Sequence, residues 1–449
     1  MKDRRRCPPH SFVAPSTAAW LAPLLAATLG CGAEPAGGGQ TAAADDSTSG
    51  TTADAATASS GTTAAAASSG EPTGPDATAS GDDDDATSGP SPTDGGDATS
   101  GDSGDSGDTG DTGEVYPEPD WEPGLPEDHG LSGRGLAAMA AVAEQSDSNC
   151  LLVTQGGIVV GEWYWNNFGP EVDQDNVYSV TKSITSALVG IAVERGELDI
   201  EAPAGFTEWK GGASEGVLLR NLISNDSGRA WTFNSDYVQM GVQPDQTQYA
   251  IDLGQDKPPG TWWEYNNAAI QTTERALALA TGANVGDYAQ ERLFEKIHMT
   301  AKMGHDGEGN ALTYQGVSAS CRDLARLGYL YLRGGRWAGG VQVVPEWWVA
   351  ETITPSTALN SAYGFMWWLN RPGHWVLPSA PLRTEGDGKL IPAAPDEIFM
   401  AVGAFGQYVV VDPTRDSVWV RLGPLDLVDT TGFGKLKDLW AAFAAAQLP

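Results

Sequence analysis

Residues 31–118 constrain the fold most, because their composition excludes a packed core. They are almost entirely Gly, Ser, Thr, Ala and Asp, with hardly any large apolar side chain. Such a segment cannot bury enough apolar surface to offset the entropy of ordering it, so we predict a disordered tether. The fold must come from residues 119–449, where large apolar and aromatic side chains return. That length is enough for one large domain or two closely joined lobes.

The negative charge of the chain limits the kinds of molecule that it can bind. Between residues 31 and 120 there are nineteen acidic side chains and no Lys or Arg, which is over half of the formal net charge of −33. A self-repelling acidic segment is typical of a solvated spacer, and an acidic protein is a poor partner for nucleic acid. The Gly-Asp run at 101–111 repeats every three residues, which could suggest calcium binding. It lacks the spaced ligands and closing Glu of an EF-hand, so a plain linker is favoured.

The N-terminus predicts export. Basic residues at positions 2 and 4–6 precede an apolar run at 14–29, which two prolines and its short length make unsuitable as a membrane span. Cys31, directly after Leu29-Gly30, resembles the lipidated cysteine of bacterial lipoproteins. We therefore predict a signal peptide at 1–30 and a lipoprotein facing the periplasm or cell surface of a bacterium, touching the membrane only through its lipid. An ordinary secretory signal is the alternative, and it also exports the chain.

Cys150 and Cys321 are the cysteines that remain in the predicted folded part. In an exported domain they form a disulfide or stay as two buried thiols, and the sequence favours neither. No CxxC pair or His/Cys cluster indicates zinc. We therefore expect no metal and no cofactor.

Hydrophobic periodicity predicts an α/β protein of the α+β type. The expected helices cover residues 135–144, 179–195, 218–224, 268–280, 322–332 and 435–445. The expected strands cover residues 151–154, 158–160, 363–369, 398–402, 408–411 and 417–420. Strands near both ends with helices between them predict one antiparallel sheet flanked by helices, with a mostly helical second lobe.

The segment Ser179-Val180-Thr181-Lys182 opens the second predicted helix and is the only S-x-x-K in the chain. Residues three apart on a helix lie on the same face, so the lysine amine can reach the serine hydroxyl. A hydroxyl becomes a good nucleophile when a neighbouring base takes its proton, and a neutral amine is such a base. The pair is therefore a candidate nucleophile and general base.

Tyr265 and Asn267 form a second candidate element, on a loop just before a predicted helix. A phenol near Lys182 would have its pKa lowered and could relay a proton, while the Asn amide could hold the lysine or a substrate carbonyl. Alone, Y-x-N also fits a buried Tyr and a turn Asn. The S-x-x-K upstream favours the functional interpretation.

Together these motifs resemble the serine β-lactamase and penicillin-binding-protein superfamily, in particular class C-like esterases and 6-aminohexanoate-dimer hydrolases. Further likenesses are the stretch 220–228, similar to the family's R-x-L-L-x-H-x-S-G, and residues 320–328, similar to S-x-x-D-L-A-R-F-G. The resemblance covers about residues 130–445. It implies a β-lactamase/transpeptidase-like fold and catalysis through an acyl-enzyme.

The resemblance also implies roles for individual residues. Ser179 would attack the carbonyl, Lys182 would take its proton, Tyr265 would relay protons and Asn267 would orient them. The oxyanion hole would be the backbone N–H groups of Ser179 and Ala404, with Gly403, Phe405 and Gly406 beside the substrate.

The third family motif is altered here. Where true β-lactamases have Lys-Thr-Gly, this chain has Ala401-Val402-Gly403. The missing lysine normally holds a substrate carboxylate, so we expect poor binding of penicillins and preference for other esters or amides.

Two functions follow from these features. The first is an exported serine hydrolase acting on a small ester, amide or peptide-like substrate. The second is a catalytically weak relative that binds peptidoglycan or a protein partner. The sequence sets no oligomeric state.

Overall fold

The computed structural model describes residues 113–170, 174–424 and 432–449. Within them the α-helices are, in chain order, α1 (Gly133–Gln145), α2 (Val180–Glu194), α3 (Leu219–Ile223), α4 (Gln246–Asp252), α5 (Asn267–Thr281), α6 (Val285–Ala289), α7 (Cys321–Leu332), α8 (Glu346–Thr352) and α9 (Leu436–Ala445). The strands are β1 (Cys150–Gln155), β2 (Ile158–Tyr164), β3 (Asp175–Asn176), β4 (Lys302–Met303), β5 (Val317–Ala319), β6 (Arg336–Trp337), β7 (Val341–Gln342), β8 (Trp368–Leu369), β9 (Gly373–Leu377), β10 (Thr384–Gly388), β11 (Phe399–Gly403), β12 (Gln407–Asp412) and β13 (Ser417–Leu422).

A six-stranded antiparallel sheet is the centre of the fold, in the order β2-β1-β13-β12-β11-β8. The N-terminal hairpin β1–β2 joins the C-terminal strands through the pairing of β1 with β13. The predicted sheet, built from strands near both ends of the described domain, is therefore confirmed. Strand β11 lies between β12 and the short edge strand β8.

Both faces of this sheet are covered, which explains why its central strands are apolar at nearly every position. Successive side chains of a strand point to opposite faces. In β13, Val418 and Val420 pack in the cluster that includes α2 and α7, whereas Trp419 packs in the cluster with α1 and α9. Helices thus cover both faces of the antiparallel sheet.

Helix α7 shows how the family motif at 320–328 serves packing. Ser320 and Asp323 form a capping box that satisfies the first backbone N–H groups of the helix. Gly328 faces the sheet, where an added Cβ would lie 2.6 Å from Val418 and 2.8 Å from Val409. The glycine therefore lets α7 approach the sheet closely.

Helix α2 connects the sheet to the helical lobe. Every residue from Val180 to Ala192 is buried, because α2 packs on β11 and β12 on one side and on α5 on the other. The helical lobe has its own apolar cluster, which includes Trp209, Leu222 and Ile251. The start of α2, where Ser179 lies, is therefore placed between the two parts of the domain.

Of the predicted strand at 363–369, only β8 (Trp368–Leu369) is extended, because Met366 has φ +62° and breaks the extended chain before it.

Cys150 and Cys321 are joined in a disulfide between β1 and α7, which is the first of the two alternatives left open by the sequence. The predicted signal, Cys31 and the tether up to residue 112 lie outside the described residues. Residues 114–118 pack on the domain, with the Tyr116 ring against Tyr329 and Trp337.

In the described residues no helix has the length and apolar character needed to cross a membrane.

Candidate active site

The S-x-x-K segment lies where the chain enters α2. Ser179 is the residue just before the helix, and Tyr178 precedes it in the left-handed region with φ +47°. The Tyr178 N–H donates to Asn176 Oδ1 at 2.8 Å, which holds this strained residue in place. Non-glycine residues in this region cost about 1–3 kcal/mol and concentrate at functional sites. Ser179 stays partly exposed, whereas Lys182, one turn later, is buried.

Three oxygen atoms surround the Lys182 amine. Nζ lies 2.9 Å from Ser179 Oγ, and it donates to Asn267 Oδ1 and to the Tyr314 carbonyl, both at 2.7 Å. The Tyr265 ring lies beside the amine, with its centroid 4.8 Å from Nζ. The structure thus brings together the four residues that the sequence nominated for catalysis, from α2 and from the start of α5.

Burial sets the protonation of this amine. Loss of solvation lowers the pKa of Lys182 to about 7, and the negative charge of Asp236 opposes that shift without cancelling it. An ordinary lysine pKa lies near 10.4. A large fraction of Lys182 is therefore neutral at neutral pH, which is the form that can accept a proton.

The hydrogen bonds also orient the neutral amine. A neutral amine has two N–H bonds and one lone pair. Asn267 Oδ1 and the Tyr314 carbonyl can only accept, so they use both N–H bonds of Lys182. The lone pair is then left for the third neighbour, Ser179 Oγ. This arrangement suits removal of the serine proton.

Tyr265 is held by aromatic packing. Its ring stacks on Trp368, with centroids 5.8 Å apart, and meets Tyr363 edge-on at 6.1 Å. Burial raises the pKa of Tyr265, although a hydrogen bond with Ser179 acts in the lowering direction. The expectation that nearby Lys182 would lower this pKa was wrong, because desolvation of the phenolate outweighs the favourable contacts. Tyr265 is therefore a neutral phenol that can donate a proton.

The stretch 220–228 positions the loop that carries Tyr265. Asn225, with φ +62°, accepts from the Glu264 N–H through its carbonyl at 2.9 Å and from the Asn266 N–H through Oδ1 at 3.0 Å. These two bonds bracket Tyr265 on either side. The stretch that resembles the family pattern thus supports the loop that carries the second candidate element.

Two groups that contact the candidate site residues were not predicted from the sequence. Asp236 is buried and accepts from the Asn267 amide Nδ2 at 2.8 Å, and Tyr314 contributes its backbone carbonyl to Lys182. Neither lies in a motif, and a backbone carbonyl leaves no signal in a sequence. Only tertiary structure identifies them.

The altered third motif lies at the end of β11. Ala401, which the sequence analysis matches to the family lysine, is buried in the same apolar cluster as Val180 and Ile184 of α2. An added Cβ at Gly403 would lie 2.4 Å from the Val177 carbonyl. The glycine therefore allows the strand to approach the chain just before Ser179.

The turn after β11 is held by contacts with Tyr178 and Arg421. Phe405 has φ +66°, and its ring packs edge-on against Tyr178 at 4.9 Å. The buried Arg421 guanidinium donates to the carbonyls of Phe405 and Gly406 at 2.9 and 2.8 Å. These contacts hold the predicted pocket residues Gly403, Phe405 and Gly406 rigidly against the segment that carries Ser179.

Metal ligands are not grouped in the part of the chain that the structure describes, where no set of three or more His, Cys, Asp or Glu side chains is arranged around a common point.

Comparison with known proteins agrees with this geometry. A profile of the Beta-lactamase family matches residues 150–423. That is more than half of the chain, so the protein belongs to the Beta-lactamase family, which confirms the resemblance seen in the sequence. Its relatives are named hydrolases, and the protein is accordingly a β-lactamase-related serine hydrolase.

Individual relatives are distant. The 6-aminohexanoate-dimer hydrolase of Paenarthrobacter ureafaciens is 24% identical over 323 residues, which cover 64% of this chain and 75% of that protein. A Bacillus anthracis structure provisionally named as the same hydrolase gives a TM-score of 0.57 at 19% identity, covering 74% of this chain and 88% of that one. A family VIII carboxylesterase gives 0.53 at 13% identity, covering 72% and 99%. At these identities the structures establish the shared fold.

Replacing Gly403 tests the close approach of β11 to Val177. We expect Gly403→Ala to move the strand away from Ser179 and to lower the rate of covalent labelling of Ser179 by a fluorophosphonate by about 10²-fold, since a displacement near 1 Å can cost that much. The matched control is Gly216→Ala, where an added Cβ meets nothing within 4 Å. Equal labelling rates for the two variants would contradict this role.

Proposed function

We propose that this protein is an exported serine hydrolase that cleaves ester or amide bonds through an acyl-enzyme on Ser179, with Lys182 as general base. The names of its relatives support both bond types, since one is a dimer hydrolase and another a carboxylesterase. The observation that carries the proposal is the buried Lys182 amine 2.9 Å from Ser179 Oγ.

Acylation follows from that contact. Neutral Lys182 removes the hydroxyl proton as Ser179 Oγ attacks the carbonyl carbon, and the carbonyl oxygen takes the negative charge. The backbone N–H groups of Ser179 and Ala404 would stabilise this oxyanion. Loss of one such donor lowers kcat by about 10²–10³-fold in a well-studied hydrolase. Collapse of the intermediate breaks the bond to the leaving group and forms the acyl-enzyme.

Proton return is the role we assign to Tyr265. As a neutral phenol next to both Lys182 and Ser179, it donates its proton to the leaving alkoxide or amine while it receives the proton held by Lys182. The net transfer is one proton from Ser179 to the leaving group. In deacylation the same groups work in reverse: neutral Lys182 takes a proton from water, the hydroxide attacks, and Ser179 regains its hydrogen.

The third motif favours substrates without a carboxylate next to the scissile bond. Ala401 and Val402 replace the charged and hydroxyl residues of the family, and both are buried in apolar clusters. A penicillin carboxylate would lose its charge-assisted partner there. Neutral esters and amides lose nothing, so we assign them as the preferred class.

Location forms a further part of the proposal. We infer that residues 1–30 direct export and that Cys31 carries a lipid, from the sequence pattern alone. The disulfide between Cys150 and Cys321 supports an oxidising compartment, because such bonds rarely persist in a reducing cytosol.

The substrate assignment predicts turnover of p-nitrophenyl esters without turnover of a chromogenic cephalosporin. Ser179→Ala should abolish both ester turnover and the fluorophosphonate adduct detected by mass spectrometry. Ser183→Ala is the matched control one turn along α2, where the hydroxyl donates to the Met366 carbonyl at 2.8 Å, and it should keep the adduct. A wild-type protein without an adduct at Ser179 would favour the second function, a binding relative without catalysis.

The protonation of Lys182 predicts that kcat/KM falls at acid pH. The base works only when neutral, so kcat/KM for a neutral ester should rise with pH through about 7 and level off above it. Lys182→Arg should remove activity at every pH, because a guanidinium stays protonated. A flat profile between pH 5.5 and 8.5, or activity retained in Lys182→Arg, would refute the assignment of Lys182 as the base.

A further inference from the structure

Asp236 is a buried carboxyl group that no sequence motif contains. It lies in a π-helical turn, Asn234–Gln239, and its side chain is almost fully buried. Oδ1 accepts from the Ala268 N–H and Oδ2 from the Asn267 amide Nδ2, both at 2.8 Å. Both donors belong to the first turn of α5, which begins at Asn267. π-helical turns are rare and are often found at functional sites.

These contacts determine which way the Asn267 amide faces. An ionised carboxylate can only accept hydrogen bonds, so the amide nitrogen must face Asp236. The amide oxygen must then face the other way, towards Lys182 Nζ at 2.7 Å. The orientation of Asn267 is thus determined by a residue that does not itself contact Lys182 or Ser179 in a hydrogen bond.

The reverse orientation would disable the base. If the amide nitrogen faced Lys182, its N–H would donate to the lone pair of the neutral amine. That lone pair is the one that must take the proton of Ser179. One N–H of the amine would also lose its acceptor. Amide orientation therefore decides whether the amine is available as a base.

We propose that Asp236 is a positioning residue for acyl transfer, which holds the Asn267 amide with its oxygen towards Lys182 and so keeps the lysine lone pair free for Ser179. This inference rests on the proposed function of Ser179 and Lys182. It adds Asp236 as a third residue, so that a carboxylate, an amide and an amine form a series of hydrogen bonds. This series connects Lys182 to the helical lobe.

The charges around Asp236 fit this role. Burial raises its pKa to about 6, while the N–H groups of Ala268 and Asn267 act to lower it. The ionisable groups that feel its charge are Lys182 and four tyrosines, namely Tyr237, Tyr249, Tyr265 and Tyr314. Asp236 is therefore ionised, and only an acceptor, in the pH range above 7 where Lys182 is neutral.

Asp236→Asn tests the inference because it reverses one hydrogen bond with little change of shape. The Ala268 N–H holds the remaining oxygen at position 236, so the new amide nitrogen faces Asn267 and forces that amide to turn. We expect the full-length variant to label with fluorophosphonate about 10²-fold more slowly than wild type, the scale of a lost general base.

Glu274→Gln is the matched control. Glu274 is a buried carboxyl group on α5 that is bonded to Thr247 and not to Asn267. Its replacement should leave the labelling rate within about twofold. Thermal unfolding of each variant separates slow labelling of a folded protein from loss of the fold.

A second variant distinguishes orientation from mere damage. In Asp236→Asn/Asn267→Asp, the new carboxylate accepts both from the amide at position 236 and from Lys182, which restores an acceptor towards the amine. That carboxylate now touches Lys182 and raises the lysine pKa. We expect labelling at pH 9 at least tenfold faster than in Asp236→Asn, with the acid limb shifted to higher pH than in wild type.

The outcomes are distinct. Wild-type labelling in Asp236→Asn, or no recovery in the double variant at any pH between 6 and 10, overturns the positioning role. Failure of wild-type protein to label at Ser179 overturns the proposed function instead. Slow labelling in Asp236→Asn together with recovery at high pH in the double variant supports the inference.

Discussion

The removal of one lysine amine from water is the interaction on which the candidate active site depends. Lys182 lies on a helix that is buried between the sheet and the helical lobe, and this burial brings its pKa to about 7. Two fixed acceptors then take both of its N–H bonds. Desolvation thus sets the protonation state of the Lys182 amine, and hydrogen bonding sets the direction of its lone pair. A base exposed to water would have neither property.

The sheet and the helical lobe contribute different kinds of group to this site. The sheet supplies a rigid support, where Gly403 approaches Val177 and Arg421 holds the turn after β11. The helical lobe supplies Asn267 from α5 and Asp236 from the π-helical turn, which we propose orient the amine of Lys182. Solved structures of relatives share this fold at 13–19% identity. Ala401 is buried in an apolar cluster at the position where the sequence predicts the altered third motif, and the proposed preference for neutral esters and amides rests on that position.

Much of this could be predicted from the sequence, and the limits have physical reasons. The Ser179–Lys182 contact follows from helix geometry, so a spacing of three residues was sufficient. The sheet followed from apolar strands near both ends of the domain. Tyr265 could be joined to Ser179 only through the family resemblance, because 86 positions separate them in the chain. Asp236 and the Tyr314 carbonyl depend on tertiary contacts without a local pattern. The pKa of Tyr265 went in the opposite direction from the prediction, because its burial could not be judged from its neighbours in sequence.

The titration of the Lys182 amine itself tests the central claim most directly. Protein carrying lysine labelled with ¹³C at Cε would be titrated by NMR, and the Lys182 signal assigned by its absence in Lys182→Arg. Exposed lysines should titrate near 10.4. The account predicts a Lys182 pKa of about 7. A value above 9 in the folded protein would contradict it, since the amine would then be charged at neutral pH and unable to take the proton of Ser179.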